Sequence, residues 1–198
     1  MLRAVGARHA IAGLTTAAVA LAVTVAWAAP SKTVTIPDAR DDVTGALDLQ
    51  RASLSLASDG RLRAVITLAG KVQPGAMLAG TGPPGSVCVK VWTALDADPT
   101  ATPADRLACI TARTKDELRA SVFSQAEAGL PVLVGSASVG VNKSGRSLIL
   151  RVSQSSLGRP ELIRFAVEST RPGCERVSCI DQAPDNGAVR RFRVRSAP

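Results

Sequence analysis

Between residues 37 and 70 apolar and polar positions alternate with a period of two, with one interruption. Leu47 and Leu49 occupy odd positions, whereas Ala52, Leu54 and Leu56 occupy even ones. Such a change of phase inside an apolar strand predicts a β-bulge near Gln50 and Arg51. Asp59-Gly60 then marks a chain reversal. Beyond it, Leu62, Ala64, Ile66 and Leu68 predict an inward face, with Arg61, Arg63 and Thr67 facing out. The segment therefore predicts the start of an antiparallel sheet.

The same period recurs along the chain. Residues 33–36 predict a short edge strand ending at Pro37. Residues 70–85 are rich in Gly and Pro and predict a long loop. Val87, Val89 and Val91 share one strand face, and Cys88, Lys90 and Trp92 the other. The return strand is expected at 107–113, after a loop with two prolines and several acidic side chains. Residues 115–128 suit a helix by propensity, yet Leu118, Ala120 and Val122 alternate as in a strand, and the strand-rich surroundings favour strand. Further strands are predicted at 131–141, at Leu148, Leu150 and Val152, and at Ile163, Phe165 and Val167. SSLGRPE, with Gly158 and Pro160, makes a single-turn connection between the last two. The final strand, 189–195, has Phe192 and Val194 inward and Arg191, Arg193 and Arg195 outward. Nine or ten short strands without a long helix predict an all-β fold, a two-sheet antiparallel jelly-roll-like β-sandwich.

The first 28 residues have a different character. Arg3 and Arg8 precede an uncharged stretch from 11 to 26, and Ala26-Trp27-Ala28 forms a small-x-small cleavage signal. A signal peptide cut after Ala28 is expected, leaving one domain over 29–198. An uncleaved anchor is the alternative, but the stretch is mostly Ala, Thr and Gly, which insert weakly. Cleavage removes His9, the single histidine, and Trp27, and the chain has no tyrosine. Ser-His-Asp and Cys-His catalysis and His-ligated metals are then excluded. The glutamates are scattered, without the carboxylate pair that a glycosidase needs. The protein is accordingly not expected to be an enzyme.

Four cysteines in an exported chain predict two disulfides. Of the three pairings, Cys88 with Cys109 and Cys174 with Cys179 fit the strand pattern best, and zinc-type spacing is missing. Loss of Arg3 and Arg8 takes the net charge from +8 to +6, which favours anionic polymers or surfaces. Nucleic acid is not expected, because few aromatic rings are available for stacking.

Several stretches resemble a known group of exported proteins. They are PDARDDVTGALDL, the hairpin VWTALDADPTATP, SSLGRP before IRFAVES, and DQAPDNG before the last strand. Together the chain resembles the DOMON and family-9 carbohydrate-binding-module-like sandwiches of exported bacterial proteins. The resemblance implies a jelly-roll-like sandwich whose relatives bind sugars, haem or no known ligand. This chain departs from the sugar binders in keeping only Trp92 as a ring platform, and from the haem binders in keeping no histidine and only Met77.

Three groups of side chains are candidate sites. Asp38, Asp41, Asp42 and Asp48 near one end and Asp181 and Asp185 near the other are either turn formers or ligands of a structural calcium, if first and last strands are neighbours. Asp38, Asp42, Asp48, Asp181 and Asp185 make the calcium set. Asp96, Asp98 and Asp105 are read as loop formers, since Ala101 and Leu107 replace the Gly and Glu of an EF-hand. Arg63, Arg151, Arg164, Arg191, Arg193 and Arg195 are expected to point outward, as a solvated face or as an anion-binding patch. Trp92 is either core or a ligand platform. The expected function is a secreted, non-catalytic binding module for an envelope or extracellular glycan. The alternative is a structural or protein-interaction component of the cell envelope.

Overall fold

The computed structural model describes residues 33–38, 45–125, 130–174, 179–185 and 187–194. The expected signal segment, Asp41, Asp42 and Arg195 lie outside the described residues. The first strands are β1 (Val34–Pro37), β2 (Leu49–Leu56), β3 (Leu62–Leu68), β4 (Ser86–Trp92) and β5 (Arg106–Ala112). They are followed by β6 (Leu118–Ser124), β7 (Val132–Val141), β8 (Ser147–Val152), β9 (Leu162–Thr170), β10 (Ile180–Ala183) and β11 (Arg190–Arg193). Two 3-10 turns, Pro74–Met77 and Ser155–Leu157, interrupt the strands. No helix of the described residues is long and apolar enough to cross a membrane.

Every strand pair is antiparallel, in the order β1-β2-β3-β8-β7-β6-β5-β4-β9-β10, with β11 on the same edge of β9 as β10 but farther along it. The ten-residue β7 is the pivot of this path. Its first part pairs with β6 and its last four residues pair with β8, so the sheet folds over along it. β2 then approaches β10, and β1 approaches β11. The all-β antiparallel sheet is thereby nearly closed into a barrel.

The predicted inward faces line the interior. Leu62, Ala64, Ile66 and Leu68 are buried, as are Val87, Val89, Val91, Leu148, Leu150, Ile163, Phe165, Phe192 and Val194. Each large apolar side chain buried this way contributes roughly 1.5–3 kcal/mol. The bulge predicted at Gln50 and Arg51 is present, as a register shift between Leu49 and Arg51 in the β2–β3 pairing. Within the ambiguous segment 115–128, Leu118–Ser124 forms β6, in which Ala120 and Val122 cover the core beside β5, and residues 126–128 lie outside the described residues.

Two features depart from the sequence pattern. DQA, read as part of a closing loop, forms β10 against β9. More importantly, β9 is buried on both faces from Ile163 to Val167. The segment 93–105 folds back over its outer side, so that Trp92, Ala104 and Ala166 form a second small apolar cluster outside the barrel.

Both expected disulfides form. Cys88 and Cys109 stand directly opposite each other in β4 and β5, and Cys174 pairs with Cys179. Two disulfides fit an oxidising compartment outside the cytoplasm.

Candidate binding cleft

Antiparallel pairing sorts the strand ends into two poles. At one pole β4 ends, β5 begins, β8 runs into β9 and β11 ends. A cleft of about 610 Å³ opens there. Arg106 and Thr93 stand on one side, and Arg193 with the Gly158–Leu162 connection on the other. Leu95, Leu157, Pro160 and Leu162 supply its apolar surface, and Glu161 is the single carboxylate among the lining residues.

Local chemistry fixes each wall. Arg106 Nη1 donates to the Asp105 carbonyl at 2.8 Å and to Ser124 Oγ at 2.9 Å, which anchors the guanidinium at the start of β5. Its Nε is buried without an acceptor. Arg193 is exposed because β11 turns Phe192 and Val194 inward. The opposite wall turns through two left-handed residues in succession, Gly158 at φ 80° and Arg159 at φ 56°. The Gly158 and Arg159 N–H groups donate to Ser155 and Gln154 carbonyls, and Gln154 Nε2 donates to the Gly60 carbonyl at 2.6 Å. The wall is thus tied to the β2–β3 turn.

Leu157 separates the cleft from the interior. It is buried, and it lines both the cleft and a wholly apolar internal gap of about 10 Å³ beside Leu54, Leu150 and Ile163. A gap so small and apolar stays dry. A ligand would therefore sit at the barrel mouth.

The sequence-derived candidates are distributed differently from the expected arrangement. Arg164 does not face solvent. It is 7% exposed, and its Nη2 donates to the carbonyl oxygens of Ala94 (2.7 Å) and Ala97, clamping the loop that covers β9. Trp92 is buried in the outer cluster, with Nε1 donating to the Thr102 carbonyl at 2.9 Å and Lys90 over its ring at 5.8 Å. It presents no open face for a sugar ring. Arg63 and Arg151 oppose each other in β3 and β8, whereas Arg191 opposes Arg164 in β11 and β9. Among the described residues the outward arginines thus form two separate groups, and of this set only Arg193 lines the cleft.

At the other pole, Asp48 and Asp181 are both buried. Asp181 Oδ2 accepts from the Leu49 N–H at 2.6 Å, and the Asp38 N–H donates to the Gln50 carbonyl. Asp38, Asp48 and Asp181 therefore share one end of the barrel. Asp185 does not join them: it lies beyond the other end of β10, where the neighbouring Gly187 meets Thr100. Among the described residues no group of three or more His, Cys, Asp or Glu side chains has the arrangement that holds a metal ion.

The loop aspartates brace the backbone. Asp105 Oδ2 accepts from the N–H and Oγ1 of Thr93, and Asp98 Oδ1 accepts from the N–H and Oγ1 of Thr100. The Thr100 N–H, then its hydroxyl, hold the Asp98 carboxyl below its ordinary range. Asp59 is lowered likewise by hydrogen bonds from Arg61.

Sequence reasoning missed Arg106, Glu161 and Leu157. Leu157 and Glu161 lie in SSLGRPE, a short connection between two firm strands and so a common place for a site, whereas Arg106 carried no such local signal. No protein-family model matches the chain, and comparison with curated proteins gives no match.

Proposed function

We propose that this protein is an exported, non-catalytic binding module whose cleft takes a carboxylate- or phosphate-bearing ligand of the kind displayed by acidic envelope glycans. The observation that carries this reading is the pairing of Arg106 and Arg193 on a cleft of about 610 Å³ with one carboxylate. Guanidinium groups match planar or tetrahedral anions through paired N–H donors. A single carboxylate does not make a glycosidase pair, which supports the non-catalytic reading. Burial of Trp92 argues for charge recognition over stacking on a neutral sugar.

The two disulfides support export. The resemblance to DOMON and family-9 carbohydrate-binding-module-like sandwiches, including their jelly-roll form, belongs to the same proposal. Structural calcium at the Asp48–Asp181 end remains part of it as well.

The test is titration with acidic and neutral polysaccharides, followed by calorimetry. Binding of acidic polymers that weakens in Arg193→Ala supports the cleft. No response from any polymer would remove it. An exposed apolar run at the start of β7 favours a second reading, a surface-interaction component of the envelope.

A further inference from the structure

We infer that the cleft pole docks on an anionic membrane surface, with the first residues of β7 entering the lipid interface and the cleft arginines meeting the headgroups. This rests on the anionic-ligand reading of the cleft and assigns where that anion is displayed.

The first observation is an apolar projection. Leu130, Val132, Leu133 and Val134 are 89%, 62%, 63% and 44% exposed. Successive strand residues normally alternate between a covered and an open face, so three exposed in a row belong to a strand end standing clear of the barrel. A bulge explains how it does so: Val122 pairs with Gly135 and Phe123 with Leu133, which leaves Val134 outside the register and bends the strand. No charged residue occurs from Leu130 to Val141. Contiguous apolar exposure of this kind marks an interaction surface.

The second observation is the charge beside it. Val132 pairs with Ser124, Ser124 pairs with Arg106, and Arg106 Nη1 donates to Ser124 Oγ. The projection and the cleft arginine therefore lie two strand spacings apart, about 10 Å, at the same pole. Arg193 lines the same cleft, and Arg159, exposed, falls in sequence between the lining residues Gly158 and Pro160. An apolar tip beside several arginines is complementary to a surface that is apolar within and negative at its headgroups.

The competing occupants fit less of this. A second copy adding to the free side of β7 would meet the Ser155–Leu157 turn, which packs so closely there that a Cβ at Gly135 would lie 2.5 Å from Ser156 Oγ. It would also bring like-charged arginines together. A soluble acidic polymer uses the arginines and has no need of Leu130 or Leu133.

The experiment is co-sedimentation of the chain cut after Ala28, so that the uncharged stretch 11–26 cannot itself enter lipid, with phosphatidylcholine vesicles, with and without phosphatidylglycerol. Binding to the anionic vesicles alone is expected. Leu130→Ser with Leu133→Ser should weaken it at least tenfold at any salt concentration. Arg193→Ala should weaken it about fivefold at low salt, with the difference fading at high salt. Both sets of changes are at exposed positions, and circular dichroism checks that the fold is kept. Equal binding to neutral vesicles, or full binding by the double Leu variant, would overturn the inference. If a soluble acidic polysaccharide binds and vesicles do not, the membrane inference fails while the cleft reading stands. If neither binds, both fail. A dimer seen by sedimentation velocity and lost in the double Leu variant would assign the projection to a second copy and overturn membrane docking.

Discussion

The carboxylate of Asp181 accepts a hydrogen bond from the backbone N–H of Leu49, 132 residues earlier in the chain, at 2.6 Å. Beside it, Ser169 Oγ donates to the Leu47 carbonyl at 2.6 Å. These side-chain bonds run from β10 and β9 to the start of β2, which are not paired as neighbouring strands, and they hold the folded-over sheet nearly shut. Both partners are buried, so Asp181→Ala strands an N–H away from water. The expected cost is about 2–3 kcal/mol, or roughly 4–12 °C in Tm. Asp181→Asn keeps an acceptor and should cost less. A structural calcium at this end predicts in addition a lower Tm in EDTA; identical melting curves with and without chelator would remove the metal from the account.

Arg164 and Trp92 together decide whether the outer loop stays down. The guanidinium binds the carbonyls of Ala94 and Ala97, and the indole binds that of Thr102. Arg164→Met keeps much of the side-chain volume and removes the donors. The loop should then lift, exposing the ring. In the chain cut after Ala28, which leaves Trp92 as the reporter, the emission is expected to shift to the red and become accessible to iodide. Because Thr93 and Leu95 line the cleft, affinity for acidic ligands should fall in the same variant. Unchanged emission would show that Asp105 and Trp92 hold the loop without Arg164.

How much of this was legible in the sequence depends on how local each cause is. The Leu62–Leu68 face and the bulge at Gln50 and Arg51 could be read because a half-buried strand records its orientation residue by residue. So could the inward Phe192 and Val194 with arginines between them. Arg164 could not, since alternation alone places it in solvent and only a loop starting 71 residues earlier, at Thr93, covers it. The four-residue β10 left little apolar signal, since Ile180 points outward and only the small Ala183 is an apolar side chain turned in. The cleft was invisible for a further reason: Arg106, Glu161 and Arg193 sit at the ends of three different strands, and barrel closure brings those ends together.

Asp98 offers a test by pH. Its carboxyl titrates below the ordinary range chiefly through the Thr100 N–H and then the Thr100 hydroxyl. A folded-state pKa below the unfolded one stabilises the protein above roughly pH 4, and that contribution is lost as the pH falls through the folded value. Thr100→Val removes the hydroxyl and keeps the N–H, so the titration should move part of the way back. Thr100→Pro removes both and should move it further. Carboxyl carbon NMR reads the midpoint directly. No change in either variant would assign the shift to Arg164, whose charge acts in the same direction.

Arg159 is the one described non-glycine residue with a positive φ, at 56°. A left-handed conformation costs an ordinary side chain roughly 1–2 kcal/mol, and its occurrence beside a cleft marks strain held at a site. Glycine adopts this conformation without that cost but loses more chain entropy on folding. Arg159→Gly is therefore expected to raise stability modestly, by about 0.5–1 kcal/mol. If Arg159 meets anionic headgroups, the same change should weaken vesicle binding about fivefold at low salt. Opposite signs in the two measurements are the signature of a residue kept for charge at the expense of backbone comfort. A variant that gains stability and binds vesicles as before would show that the arginine at this turn has no part in docking.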